Sequence, residues 1–90
     1  MDLAAEKLSW RERINETTYF VTVESRGAIG VSQWTTSERG VRPTIAAVTT
    51  TAIHLDSGVT LTMRRAEWVD LAVELWNETA RDMAELCNQT

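Results

Sequence analysis

Cysteine is nearly absent from this 90-residue chain: there is one, Cys87. A lone thiol closes no internal disulfide, so the fold cannot depend on one, and a reducing, cytoplasmic setting is expected. Proline is equally rare, with one residue, and there are four glycines. With 43% hydrophobic and 24% charged residues, that scarcity excludes a disordered or low-complexity chain and describes a folded one. No apolar run approaches the ~18 residues of a membrane span. Residues 1–16 interrupt Leu3 and Leu8 with Glu6, Lys7, Arg11, Glu12 and Arg13, which does not read as a signal peptide. No glycine-rich phosphate loop, Cys/His metal spacing, His-Glu-x-x-His or Gly-x-Ser-x-Gly occurs. The expectation is a protein without cofactor or metal, and not an enzyme.

A chain of this length holds one core, so residues 1–90 are read as a single domain. A domain so small buries only about 60–65% of its unfolded surface, and oligomerisation is a common remedy. The formal net charge of −4 hides an asymmetry. Residues 1–16 carry −1, residues 17–65 carry +2, and residues 66–90 carry −5. The middle is mildly basic and the end strongly acidic.

The end of the chain organises the rest. Val59 to Met63 reads as a short strand running into a long amphipathic helix with Thr62 as N-cap and no proline or glycine after Met63. Trp68, Leu71, Ala72, Leu75, Trp76, Thr79, Met83 and Leu86 recur at spacings of three and four, which places them on one face. Some 24 residues of helix span roughly 36 Å, against about 23 Å for a seven-residue strand. The second half is therefore expected to overhang the sheet and to bury Trp76, Thr79, Met83 and Leu86 in a homodimer.

Upstream, Asp2 to Ile14 is predicted as a short helix, with Asp2 as N-cap and Leu3, Lys7, Trp10 and Ile14 along one line. Thr17 to Glu24 is dense in β-branched and aromatic residues and reads as a strand, with Tyr19, Val21 and Val23 on one face and Phe20, Thr22 and Glu24 on the other. Ser25-Arg26-Gly27 turns the chain into a return strand over Ala28–Thr35, with Ile29 and Val31 opposite Trp34. Thr36–Pro43 is a loop. Thr44–Leu55 reads either as one long strand or as a strand broken by a bulge near its consecutive threonines. Asp56-Ser57-Gly58 turns it back into Val59–Met63.

Four groups could carry function. His54 is the single histidine, with Asp56 and Glu24 as the nearby acids to orient it, but a lone histidine near a strand end is more often structural. Cys87 lies on the apolar side of an acidic helix, where a small hydrophobe is the ordinary reading. Asp70, Glu74, Glu78 and Asp82 form an i,i+4 acidic stripe. That stripe is a solvated surface in the plain reading and, in the sharper one, a docking face for a protein with a basic surface. Finally, Phe20, Thr22, Ser32, Trp34, Thr50, His54 and Thr60 are placed on the outer face of the sheet, rimmed by Arg26, Arg39, Arg42, Arg64 and Arg65. If no helix covers that face, Phe20 and Trp34 with Arg39 and Arg42 make a platform on which single-stranded bases stack.

Gly58-Val59-Thr60-Leu61-Thr62, followed by Glu67-Trp68 and Leu71 and preceded by Gly27-Ala28-Ile29 and Gln33-Trp34, resembles the transcriptional coactivator p15 family over about residues 18–76. The resemblance implies a curved four-stranded sheet with a C-terminal helix, dimerisation through that helix, and binding of single-stranded DNA. The chain departs from it in a longer stretch between Trp34 and Gly58, in the lack of sheet lysines, and in its additional N-terminal helix.

The expected fold is therefore α+β: a four-stranded antiparallel meander with a short N-terminal and a long C-terminal amphipathic helix. The leading functional expectation is a non-catalytic interaction or regulatory module, homodimeric and docking through its acidic helix. Single-stranded nucleic-acid binding by the sheet is the alternative.

Overall fold

Alternation, not helical spacing, governs the start of the chain. The computed structural model describes residues 6–88, with side chains through residue 83. It begins with strand β1 (Lys7–Ile14), whose exposure alternates strictly. Leu8, Trp10, Glu12 and Ile14 turn inward, while Lys7, Ser9, Arg11 and Arg13 face solvent. The expected N-terminal helix is thus a strand. Trp10 and Ile14, four residues apart, satisfy a period of two as well as one of 3.6, and inward Glu12 disguises the alternation. Glu12 is not stranded inside, because its Oε1 accepts a hydrogen bond from the Thr62 amide at 3.1 Å. The expected cap and first stripe residue, Asp2 and Leu3, lie outside the described residues.

A two-residue turn at Asn15-Glu16, with Asn15 at φ 57°, leads into β2 (Thr17–Glu24). Asparagine tolerates this left-handed conformation better than most side chains. β2 has the expected bounds and buries the expected face, Tyr19, Val21 and Val23. It pairs antiparallel with β1 and with β3 (Ile29–Trp34) to make a three-stranded sheet in the order β1-β2-β3.

A second three-stranded meander, β4 (Ile45–Val48), β5 (Ala52–Leu55) and β6 (Thr60–Thr62), replaces the single expected sheet. The three threonines make a turn and not a bulge. The Thr49 hydroxyl accepts from the amides of Thr51 and Ala52 at 3.3 and 3.1 Å, so a β-branched side chain closes the turn it was expected to extend. The architecture is α+β with two antiparallel sheets and one helix among the described residues, neither the four-stranded meander nor the p15-like single sheet.

The second turn of each sheet repeats the same hydrogen bonds. Glu24 N donates to Ala28 O at 2.8 Å and Gly27 N to Glu24 O at 2.9 Å; Leu55 N donates to Val59 O and Gly58 N to Leu55 O, both at 2.9 Å. Gly27 and Gly58 both stand at φ 96°, where a side chain is strained.

Helix α1 (Val69–Asn88) starts five residues later than the expected opening at Arg64. Met63 continues as extended chain, buried and donating its amide to Thr51 O at 3.0 Å, so the core retains it. The docked face is also rotated. Val69, Ala72 and Val73 are buried and Trp76 is partly so, whereas Leu71 is 55% exposed. Inner residues of both sheets, Val21, Val23, Ile53 and Leu61 among them, complete one core with the helix. Asn77 fastens the helix to β4 by donating to Val48 O at 3.2 Å. From Glu78 to Met83 every side chain is exposed. That free end accords with a radius of gyration of 14.1 Å, against about 12 Å for a compact chain of this length.

Candidate nucleic-acid interface

Because Tyr19, Val21 and Val23 point into the core, Phe20, Thr22 and Glu24 must point out. Directly paired residues share a face, so the register writes the rest of the surface row by row. Arg11 lies opposite Phe20, which lies opposite Ser32; Arg13 lies opposite Thr18, which lies opposite Trp34. Ser9, Thr22 and Gly30 form a third row, and Lys7 with Glu24 begins a fourth. Phe20 and Trp34 are each 42% exposed, and among the described residues no helix covers them.

The loop after β3 extends this face. Gln33 N donates to Val41 O at 2.7 Å and Val41 N to Gln33 O at 3.1 Å, an antiparallel bridge along the edge of β3. Continued by one residue each way, that register sets Arg42 beside Ser32 and Gly40 beside Trp34. A Cβ on Gly40 would stand 3.6 Å from the Trp34 ring, so the indole lies close along the loop. The loop is held by Thr35, whose hydroxyl accepts from Glu38 N at 3.0 Å. Arg39 is exposed on it.

The polar groups are arranged around the two rings. The Arg11 guanidinium carbon sits 5.8 Å from the Phe20 centroid, a cation–π distance. Trp34 Nε1 donates to Ser32 Oγ at 3.2 Å, which ties the indole to its neighbour on the same face. The acid on the strands of this face is Glu24, paired with Arg26 at 3.0 Å. Between Phe20, Thr22, Gly30, Ser32 and Arg42 lies a hollow of about 390 Å³. A chain of net charge −4 thus presents one cationic, aromatic face.

Of the expected platform residues, Phe20, Trp34 and Arg42 come together, Arg39 stands on the adjoining loop, and Arg26 is occupied by Glu24. Arg65 is elsewhere, donating to Thr50 O at 3.4 Å and lying 4.0 Å from Asp70. Thr60 and His54 belong to the second sheet, where they pair with each other and Nδ1 of His54 meets the Thr60 hydroxyl at 3.2 Å. Neither Asp56 nor Glu24 orients the histidine. A helix over residues 2–14 hides Lys7, Arg11 and Arg13 from this face; the inward alternation of Leu8, Trp10 and Ile14 is the signal in the sequence that places them on it. β1 therefore brings one lysine, Lys7, and two arginines to this face.

Asp70, Glu74, Glu78 and Asp82 are all exposed along α1. Of the expected dimer residues, Trp76 is partly buried against the core, Thr79 and Met83 are exposed, and the side chains of Leu86 and Cys87 lie outside the described residues. Among the described residues no group of histidine, cysteine and carboxylate side chains is placed to hold a metal ion, and no helix is long and apolar enough to cross a membrane. No family model, curated protein or solved structure matches the chain.

Proposed function

We propose that the outer face of the β1-β2-β3 sheet binds single-stranded nucleic acid. The observation that carries this reading is the row Arg11–Phe20–Ser32–Arg42, an exposed ring between two guanidinium groups, with Trp34 as its diagonal neighbour. Diagonal cross-strand positions lie about 7–8 Å apart, within reach of successive bases along one strand. Unpaired bases offer free faces for stacking, while arginines hold phosphates without regard to sequence. A duplex hides those faces, so exposed aromatics favour a single strand. The acidic helix adds direction: its stripe repels phosphate and leaves the sheet as the accessible surface.

Titrating tryptophan fluorescence with a single-stranded 12-mer tests this. Quenching is expected at 50 mM salt, and about three or four phosphate contacts would weaken binding roughly 20- to 50-fold by 200 mM. A flat titration at low salt removes the reading.

A second observation favours self-association through α1. Leu71 and Met83 are 55% and 60% exposed on a helix whose free end has no partner within the described residues. The accessible surface is 6470 Å², against about 5,300 Å² expected for a monomer of this mass. Sedimentation equilibrium at tens of micromolar is expected to show a dimer that L71E/M83E converts to monomer. A wild-type chain that is monomeric throughout that range would end the proposal.

A further inference from the structure

Resting on the single-strand reading, we infer that the hollow in the platform is a base pocket that selects guanine over thymine or uracil, with Glu24 as the selecting residue. The pocket exists because Gly30 has no side chain. On the Ser9–Thr22–Gly30 row a larger residue would occupy the floor, and even a Cβ there would come within 3.3 Å of Thr22 Oγ1. What remains is about 390 Å³ of open space on the sheet face, within the ~300–1,000 Å³ range of small-ligand pockets. Phe20 and Glu24, four residues apart on β2, line it toward opposite ends, and Arg42 lines it as well.

These groups divide the work of holding a nucleotide. Phe20 supplies a stacking surface, indifferent to base identity. Arg42 supplies charge for the phosphate. Glu24 is different, since a carboxylate only accepts hydrogen bonds. Its Oε1 already receives the Arg26 guanidinium at 3.0 Å, which orients the group and leaves Oε2 for a ligand. Its side chain is only 26% exposed, so it sits in the pocket wall and not on the outer rim. Guanine presents two adjacent donors, N1–H and the N2 amine, which can converge on the free Oε2. Thymine and uracil present a single N3–H flanked by two carbonyl oxygens, which a carboxylate repels. Adenine and cytosine, each with one exocyclic amine, fall between.

The test compares a 12-mer of alternating thymidine and deoxyguanosine with a 12-mer of thymidine alone, at one low salt concentration, for the wild type, Glu24→Gln and Gly30→Val. A well-made two-point base contact gives about tenfold discrimination, so the alternating strand is expected to bind about tenfold tighter to the wild type. Glu24→Gln should shrink that ratio to within about twofold while strengthening binding of the all-thymidine strand, because a negative charge leaves a phosphate-binding face. Gly30→Val, which fills the floor with a residue suited to a strand, should lose the preference by a separate route. Equal wild-type binding of the two strands, or a preference that survives in Glu24→Gln, overturns the pocket and leaves the platform standing. Binding of neither strand overturns both.

Discussion

Reversing the charge of Arg11 and Arg42 together, R11E/R42E, is expected to lower affinity for a single-stranded 12-mer about a hundredfold or more at low salt. The salt slope should flatten as well, by roughly 0.7 for each lost phosphate contact. The two residues stand at opposite ends of the row Arg11–Phe20–Ser32–Arg42, so the double variant removes cations from both sides of a base stacked on Phe20. Phe20→Ala is expected to cost about 1–3 kcal/mol of binding, or roughly five- to 150-fold, by removing the stacking surface. It also strands the Arg11 guanidinium, whose cation–π contact contributes about 0.5–1 kcal/mol to its placement. Thr60→Ala on the second sheet serves as control, being exposed and away from the platform. Unchanged affinity in the arginine double variant, with the fold intact by circular dichroism, would place the nucleic acid elsewhere or nowhere.

The second large effect concerns stability and isolates one contact by comparison. Gly27 and Gly58 occupy the same position of the same turn at the same φ of 96°. A Cβ at Gly58 meets nothing within 4 Å, whereas a Cβ at Gly27 would lie 2.7 Å from Leu75 Cβ and 3.3 Å from Trp76 N. Gly58→Ala should therefore cost only the backbone strain, about 1 kcal/mol. Gly27→Ala carries that strain and also forces the turn away from the helix, for a total of about 3 kcal/mol. At roughly 4–8 °C per kcal/mol for a domain of this size, the melting temperatures should separate by about 10 °C or more. Equal losses for the two variants would show that the helix does not press on the β2–β3 turn.

What could be read from residues alone follows from how many signals agree at each place. Over Thr17–Glu24, composition, alternation and the following Gly27 turn all say strand, and both the bounds and the buried face match. Over Lys7–Ile14 they conflict: Arg11, Glu12 and Arg13 suit a helix, Trp10 and Ile14 suit either period, and pairing with β2 decides the matter. Tertiary context overrides weak local preference there. Thr49-Thr50-Thr51 has strand composition but makes a turn, because a threonine hydroxyl can satisfy the amides that a sheet would otherwise pair. On the helix, the apolar residues are spread widely enough that two faces qualify. Burial of Val69, Ala72 and Val73 selects one and leaves Leu71 outside. The platform was half legible for the same reason as β1. Phe20, Trp34 and Arg42 follow from alternation within the hairpin and its loop, but Lys7, Arg11 and Arg13 join them only once the first segment is a strand.

β1 is the outermost strand of its sheet, and an outermost strand offers unpaired backbone groups to any other extended chain. Folded proteins commonly guard such an edge with charged side chains, and Lys7, Arg11 and Arg13 alternate along this one in full solvent. The cations that would grip phosphate therefore also deter strand-to-strand aggregation. A variant that exchanged all three for alanine would lose ligand binding and edge protection in one step, and its insolubility could pass for a folding defect.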